Sequence, residues 1–206
     1  MTNRLPTELL IATRNEGKVA ELRPLLAQLP LRLRSLAEFP EIDEVEETGM
    51  TFAENAVIKA RSYAESTHLW TLSDDSGLEV HALGGAPGVY SARYGGRGLS
   101  YDERIKRLLD ELLQTGSDDR RARFVCVISI ANPQGEISNI STGTCEGTIA
   151  RSPRGTNGFG YDPIFVPDGY EQTFGELSTE TKEKISHRAL ALAAARSFLI
   201  NQFSLT

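Results

Sequence analysis

A short apolar run that stops at polar residues and gives way at once to a helical pattern does most to limit the folds open to this chain. Glu8 to Thr13 read ELLIAT, and the helical pattern follows from Gly17 to Leu29, so a strand, a tight loop and a helix succeed one another. LRLRSL then alternates as a strand does. A strand that hands over to a helix and then to another strand must bury one face of each against the other, which is the α/β arrangement.

The remaining chain extends that pattern. Glu38 to Glu47 form an acidic loop with little periodicity. Thr51 and Glu54 make a capping box that opens a helix to about His68, with Phe52, Ala56, Ala60 and Tyr63 on its apolar face. Trp70 to Leu72 and Leu78 to Val80 are strand-like on either side of Asp74 and Asp75, which places that pair at a turn. ALGGAPGVYSARYGGRG is too rich in glycine for a regular element, yet its Tyr90 and Tyr94 suit an ordered loop. Ser100 and Glu103 form a second capping box ahead of Ile105, Leu108, Leu109, Leu112 and Leu113, with Gly116 as the stop. Successive strands follow, with NPQG as a hairpin turn, and a last helix spans His187 to Gln202 with Leu190, Ala194 and Phe198 along one side. The expectation is one α/β domain over residues 1–206, with a mixed sheet.

The chain has 206 residues, enough for one substantial core, and a formal net charge of −6. That charge opposes a general affinity for nucleic-acid backbones or anionic membranes, which require an excess of Lys and Arg. The N-terminal segment lacks the apolar core of a signal peptide, and no stretch approaches the length of a membrane span, so a cytoplasmic location is expected. Cys126 and Cys145 show no metal-ligand spacing and read as buried free thiols.

Several groups of residues carry possible chemistry. TRNEGK, Thr13 to Lys18, lies between strand and helix, where free backbone N–H groups and the helix dipole suit a phosphate; it equally suits an ordinary helix start. Lys59 falls beside Phe52 and Tyr63, one turn after Asn55, as an anion ligand or a lysine whose stem covers apolar surface. Adjacent carboxylates on Asp74 and Asp75 are unfavourable when buried unless a cation, a proton or donor groups compensate. Magnesium fits such a pair, because it prefers oxygen and takes one or two protein carboxylates along with substrate phosphates. A second acid would come from EIDEVEETG, where Glu46 and Glu47 precede the capped helix. The other reading of the pair is a solvated turn or cap. Phe159 and Tyr161 in GFGYDP offer rings for a base or belong to the core. TKEKISHR gathers Lys182, Lys184, His187 and Arg188 as donors or as a charged helix start.

Taken together, ATRNEGK, EETGMTFAENAVIKA, DDSGLEVHALGGAPGVYSARY, GFGYDPIF and ISHRALAL resemble, in order, the motifs of the inosine triphosphate pyrophosphatases, the noncanonical purine nucleotide pyrophosphatases of the Ham1-like family. The resemblance implies an elongated α/β fold of two lobes flanking a central nucleotide cleft, working as a homodimer. It implies hydrolysis of ITP, dITP and XTP to the monophosphate and pyrophosphate with Mg2+, which clears deaminated purines from the nucleotide pool. Carried over by motif position, Thr13, Arg14, Asn15, Glu16, Gly17 and Lys18 hold the phosphates with Lys59. Glu46 and Asp75 bind the metal, Asp75 also acts as general base, and Ser76 contacts substrate. Phe159, Gly160, Tyr161 and Asp162 pack around the base, while Lys182, His187 and Arg188 read its polar edge. A nucleotide-sensing protein without turnover, or a pyrophosphatase for other modified or pyrimidine triphosphates, are the alternative readings.

Overall fold

The computed structural model describes residues 8–203 except residues 28 and 30, with the backbone alone for residues 202 and 203. Residues 1–7, which bear part of the leader-peptide reading, and residue 28 of the expected first helix lie outside the described residues. Among the described residues no helix is long and apolar enough to cross a membrane. The chain divides into two compact units, the first made of residues up to 75, 126–143 and from 188 onward, the second of residues 76–125 and 144–187. A six-stranded sheet has the order β2-β1-β3-β4-β5-β6. Its strands are β1 (Glu8–Ile11), β2 (Arg32–Ser35), β3 (Trp70–Val80), β4 (Arg121–Ala131), β5 (Ile137–Ile149) and β6 (Phe165–Pro167).

In the first unit β1 pairs in parallel with β2, Leu9 opposite Leu33, and with β3, Leu9 opposite Trp70. Its side chains are also packed on both faces of the sheet, which explains its unbroken apolar run. Leu9 and Ile11 enter one apolar cluster with Leu22, Leu26, Leu72, Ile128 and Leu192, whereas Leu10 and Ala12 enter another with Leu36 and Tyr63. Strand alternation thus feeds two cores from four residues. Helix α1 spans Glu16–Leu26 and starts on Asn15, whose side chain accepts the Lys18 N–H. It is shorter than the expected span to Leu29, with Ala27 closing it. Helix α2 spans Phe52–Thr67 and carries the expected capping box, Thr51 N–H donating to Glu54 at 3.0 Å and Glu54 N–H to Thr51 Oγ1 at 3.1 Å. His68 ends it in the left-handed region at φ 55°.

The second unit is built on Leu78, Val80, Ile105, Leu108, Leu112, Phe124, Ile149, Phe165 and Phe174. Helix α3, Tyr101–Gln114, presents Ile105, Leu108 and Leu112 to this core from behind the Ser100 and Glu103 capping box. β5 and β6 are antiparallel, with Gly147 opposite Pro167. A side chain at Gly147 would strike the Val166 carbonyl and reach within 2.8 Å of the Phe165 ring, so the strands approach only because it is glycine. Between β3 and α3 the glycine-rich segment is ordered as two 3-10 turns, His81–Leu83 and Gly88–Arg93. Helix α4, Thr179–Ile185, ends at an extended Ser186, and α5, His187–Phe203, begins directly after it.

The hairpin tip between β4 and β5 follows the NPQG expectation: Asn132 Oδ1 accepts from Gln134 and Glu136, and Gly135 turns at φ 80°. A connection this short forces the two strands to run antiparallel.

Two expectations are corrected. Asp74 and Asp75 do not sit at a turn: β3 is one continuous strand through them. Polar residues imitate a turn signal in sequence, but here cationic partners satisfy them inside the strand. The face of α5 is also shifted, because Ala191, Leu192, Ala195 and Leu199 are buried while Leu190 and Ala194 are exposed. Alanine and leucine fill so much of this helix that its apolar stripe has little contrast to mark it.

Candidate active site

β3 places Asp74 and Asp75 in succession, and successive strand residues point to opposite faces, so their carboxylates meet different partners. Both side chains are buried, at 1% and 5% exposure. The Asp74 carboxylate lies 3.1 Å from the Lys18 ammonium and 3.4 Å from the Arg188 guanidinium. Arg188, at 1% exposure, also donates to Glu21 of α1. Burial alone would raise the Asp74 carboxyl; the charges of Lys18 and Arg188 outweigh it and hold the group well below the usual carboxylate range.

Asp75 faces a different setting. Asn55 donates to its Oδ2 at 3.1 Å, and Lys59 Nζ lies 3.5 Å from its Oδ1. Burial pushes this carboxyl up, the nearby Glu47 charge adds to the rise, and Lys59, Lys18 and Asn55 only partly offset it. Lys59 donates to Glu47 at 2.5 Å and to the backbone carbonyl of Asp74 at 2.8 Å. Burial would lower its ammonium, but Asp75, Asp74 and Glu47 together raise it, so the lysine stays charged. Helix α2 sets this geometry: Asn55 and Lys59 are one turn apart and share a face. Asn55 also accepts the Gly49 N–H at 2.8 Å, which fixes the acidic loop; a side chain at Gly49 would come within 2.7 Å of that same Asn55 oxygen.

The TRNEGK loop is a capped helix start. Thr13 Oγ1 accepts from Asn15 N–H, Arg14 donates to the Ile42 carbonyl, and Arg14 and Glu16 are exposed while Gly17 and Lys18 are half-buried. Of the acids in EVEE, Glu46 is exposed and Glu47 is half-buried against Lys59. Among the described residues no group of three or more His, Cys, Asp or Glu is arranged to hold a metal ion. A magnesium ion needs fewer protein ligands than that. Glu47 and Asp75 both approach the single ammonium of Lys59, which shows that one positive centre can be shared between these two carboxylates. The oxygen donors present therefore fit a hard divalent cation.

A second group lies within the second unit. Lys182 pairs with Asp162, and the same Asp162 oxygen accepts the Phe159 N–H at 2.7 Å. The Lys182 ammonium stands 5.1 Å from the centre of the half-buried Phe159 ring. Gly158, at φ 73°, makes room: a side chain there would collide with the Asp162 carboxylate. Gly160 is half-buried beside it, at φ 66°. Tyr161 is a core residue that donates to the Ser91 carbonyl at 3.0 Å and meets Tyr101 edge to face. His187 stacks on Phe124 with ring centres 4.6 Å apart. Ser76 is half-buried on β3, and Lys182 rather than the exposed Lys184 is the buried lysine.

The structure thus joins Lys18, Asp74 and Arg188 in one network, and Lys59, Asp75, Asn55 and Glu47 in another linked to it. Glu21 and the anchoring role of Asp74 escaped the sequence reading, which placed Asn55 one turn before Lys59 but gave it no role. Nothing local marks Glu21 as a partner of a residue so distant in the chain.

Comparison with known proteins shows the family. The model of the Ham1 family matches residues 9–198, and the chain belongs to that family. A dITP/XTP pyrophosphatase of Bacillus cereus is 47% identical over 90% of this chain and 91% of its own length. One from Desulforamulus reducens is 50% identical over 93% of this chain and 95% of its own. Among solved structures, a HAM1 protein from Coxiella burnetii superposes with TM-score 0.87 at 44% identity, covering 94% of this chain and 98% of that one.

Proposed function

We propose that this chain, acting as one domain, is a nucleoside-triphosphate pyrophosphatase that hydrolyses deaminated purine triphosphates, ITP, dITP and XTP, to the monophosphate and pyrophosphate. The observation that carries the reading is the buried Lys59, held at once by Glu47, the Asp74 carbonyl and Asp75. The names of the Bacillus and Desulforamulus relatives support the substrate class.

Chemistry assigns the parts. Thr13 to Lys18 and Lys59 offer backbone donors and positive charge to a triphosphate chain. Asp75, whose carboxyl is raised by burial, accepts the proton of the attacking water. The water oxygen bonds to the α-phosphorus, the α–β anhydride bond breaks, and the electron pair leaves with pyrophosphate. Glu47 and Asp75 would hold magnesium, which when bound supplies Lewis-acid stabilisation of phosphate charge; Glu46 is the neighbouring candidate. Phe159 offers a ring face to the base, with Tyr161 supporting it from the core. Lys182 and His187 offer polar groups to its edge. Donors there favour a 6-oxo purine over adenine, whose 6-amino group would leave a donor unpaired. Since Arg188 is committed to Asp74 and Glu21, its part in base selection in this reading acts through that network.

A cytoplasmic homodimer completes the reading, and sedimentation of the purified chain tests the dimer. A panel of triphosphates with magnesium, scored for products, tests the rest. Pyrophosphate and monophosphate from ITP, dITP and XTP are expected; orthophosphate would exclude the bond assigned, and binding without turnover would make the protein a sensor.

A further inference from the structure

Asp74 stands at the centre of a cluster of three cationic side chains in the first unit. Its carboxylate contacts Lys18 at 3.1 Å and Arg188 at 3.4 Å, and its backbone carbonyl accepts from Lys59 at 2.8 Å. One residue therefore touches three cationic side chains that come from the start of α1, from α2 and from the start of α5. Its side chain is fully enclosed, with Cys126 Sγ at 4.0 Å, so neither solvent nor substrate needs to reach it.

We infer that Asp74 is a positioning residue for the phosphate-binding lysines, and that the aspartate pair divides its work: Asp74 anchors the cations and Asp75 faces the chemistry. A free lysine side chain samples many rotamers, and holding one in place for a ligand lowers the entropic cost of binding. A buried carboxylate is a strong anchor for this purpose, because removing one partner leaves the other charged and enclosed. The carboxylate also limits the positive charge of the cluster, whereas the carbonyl link to Lys59 survives any change of the side chain. This inference rests on the assignment of Lys18 to the triphosphate chain.

The test is a double-mutant cycle read by equilibrium binding of inorganic pyrophosphate and by kcat and KM for ITP. Wild-type protein that neither binds pyrophosphate nor cleaves ITP would overturn the functional reading itself. With that reading intact, Lys18→Met should weaken pyrophosphate binding about tenfold or more. Asp74→Asn should weaken it to a similar extent, and the combined variant should be no weaker than Lys18→Met alone. Independent structural damage would instead add the two losses, and that additivity, or unchanged binding in Asp74→Asn, overturns the inference. Should Asp74→Asn not fold, Asp74→Glu takes its place: it keeps the charge and displaces the anchor by one methylene. The same lack of additivity is then expected, and additive losses would again overturn the inference.

Discussion

Asp74 and Asp75 are consecutive on β3, yet their carboxyl groups are displaced in opposite directions, the first held down by Lys18 and Arg188 and the second pushed up by burial. Environments that drive two neighbouring acids apart are how one site obtains both a permanent anion and a base.

Asp75→Asn should reduce pyrophosphate release by about 10²–10⁴-fold, the range of a lost general base, while nucleotide binding persists. It should also stabilise the fold at neutral pH. A carboxyl whose folded pKa is raised opposes folding once ionised, so stability falls as pH rises through that pKa. The gain, about 2–4 °C in Tm per kcal/mol, should vanish at acid pH, where the wild-type group is already protonated. Unchanged turnover would remove Asp75 from the mechanism.

The acid limb of kcat/KM should lie above the ordinary aspartate value of about 3.9, since the base must be unprotonated to accept a proton. For Asp74 the sign is reversed. Its depressed pKa contributes stability above the unfolded value of about 3.9, and that contribution is lost as pH falls toward the folded pKa. Activity should therefore fail before the fold does when the pH is lowered, which parallel rate and circular dichroism titrations would show.

Glu47→Gln should raise the magnesium concentration needed for half-maximal hydrolysis, with Glu46→Gln close to wild type, because only Glu47 reaches Lys59. Chelation of magnesium should stop hydrolysis and lower Tm, since an ion held at Asp75 would offset the burial cost that Lys59, Lys18 and Asn55 only partly cover. A larger effect from Glu46→Gln would move the second ligand to that residue.

Gly158→Ala should cost about 1–3 kcal/mol from its positive φ and should raise KM for ITP, because the added methyl displaces the Asp162 carboxylate from Phe159 and Lys182. Denaturant midpoints and steady-state kinetics check the two parts separately. A variant with wild-type KM would show that the Asp162 contact is not needed for binding.

Thr51→Ala should lower stability by about 1 kcal/mol, as loss of an N-cap does. Glu54→Ala should add a further loss, because its carboxylate accepts the Met50 and Thr51 backbone N–H groups, which Thr51→Ala leaves in place. Thermal melts of the two single variants and the double variant measure this.

Much of the frame was legible because local rules write it in short stretches. The capping boxes at Thr51 and Ser100 and the NPQG tip each depend on residues a few positions apart, and each appears where those residues put it. What could not be read locally was set by distant partners. The polar run through Asp74 and Asp75 resembles a turn until Lys18, Lys59 and Arg188 are brought to it, and then it is a buried strand. That Glu47 rather than Glu46 meets Lys59 likewise depends on which side of the loop faces that partner, whereas spacing to Ser186, His187 and Arg188 already singled out Lys182. Tyr161 has the composition of a stacking surface, but its hydroxyl is spent on Ser91 in the core.

The borders between the two compact units fall at residues 75 and 76 in β3, 125 and 126 in β4, 143 and 144 in β5, and 187 and 188 in α5. None falls in a linker. Cutting the gene within β3, β4 or β5 would sever a hydrogen-bonded strand and leave frayed ends on both fragments, and a cut after His187 would take the first residue from α5. Split reporters or circular permutants of this enzyme family member should open instead at an exposed turn such as residues 115–118, whose few backbone hydrogen bonds are local.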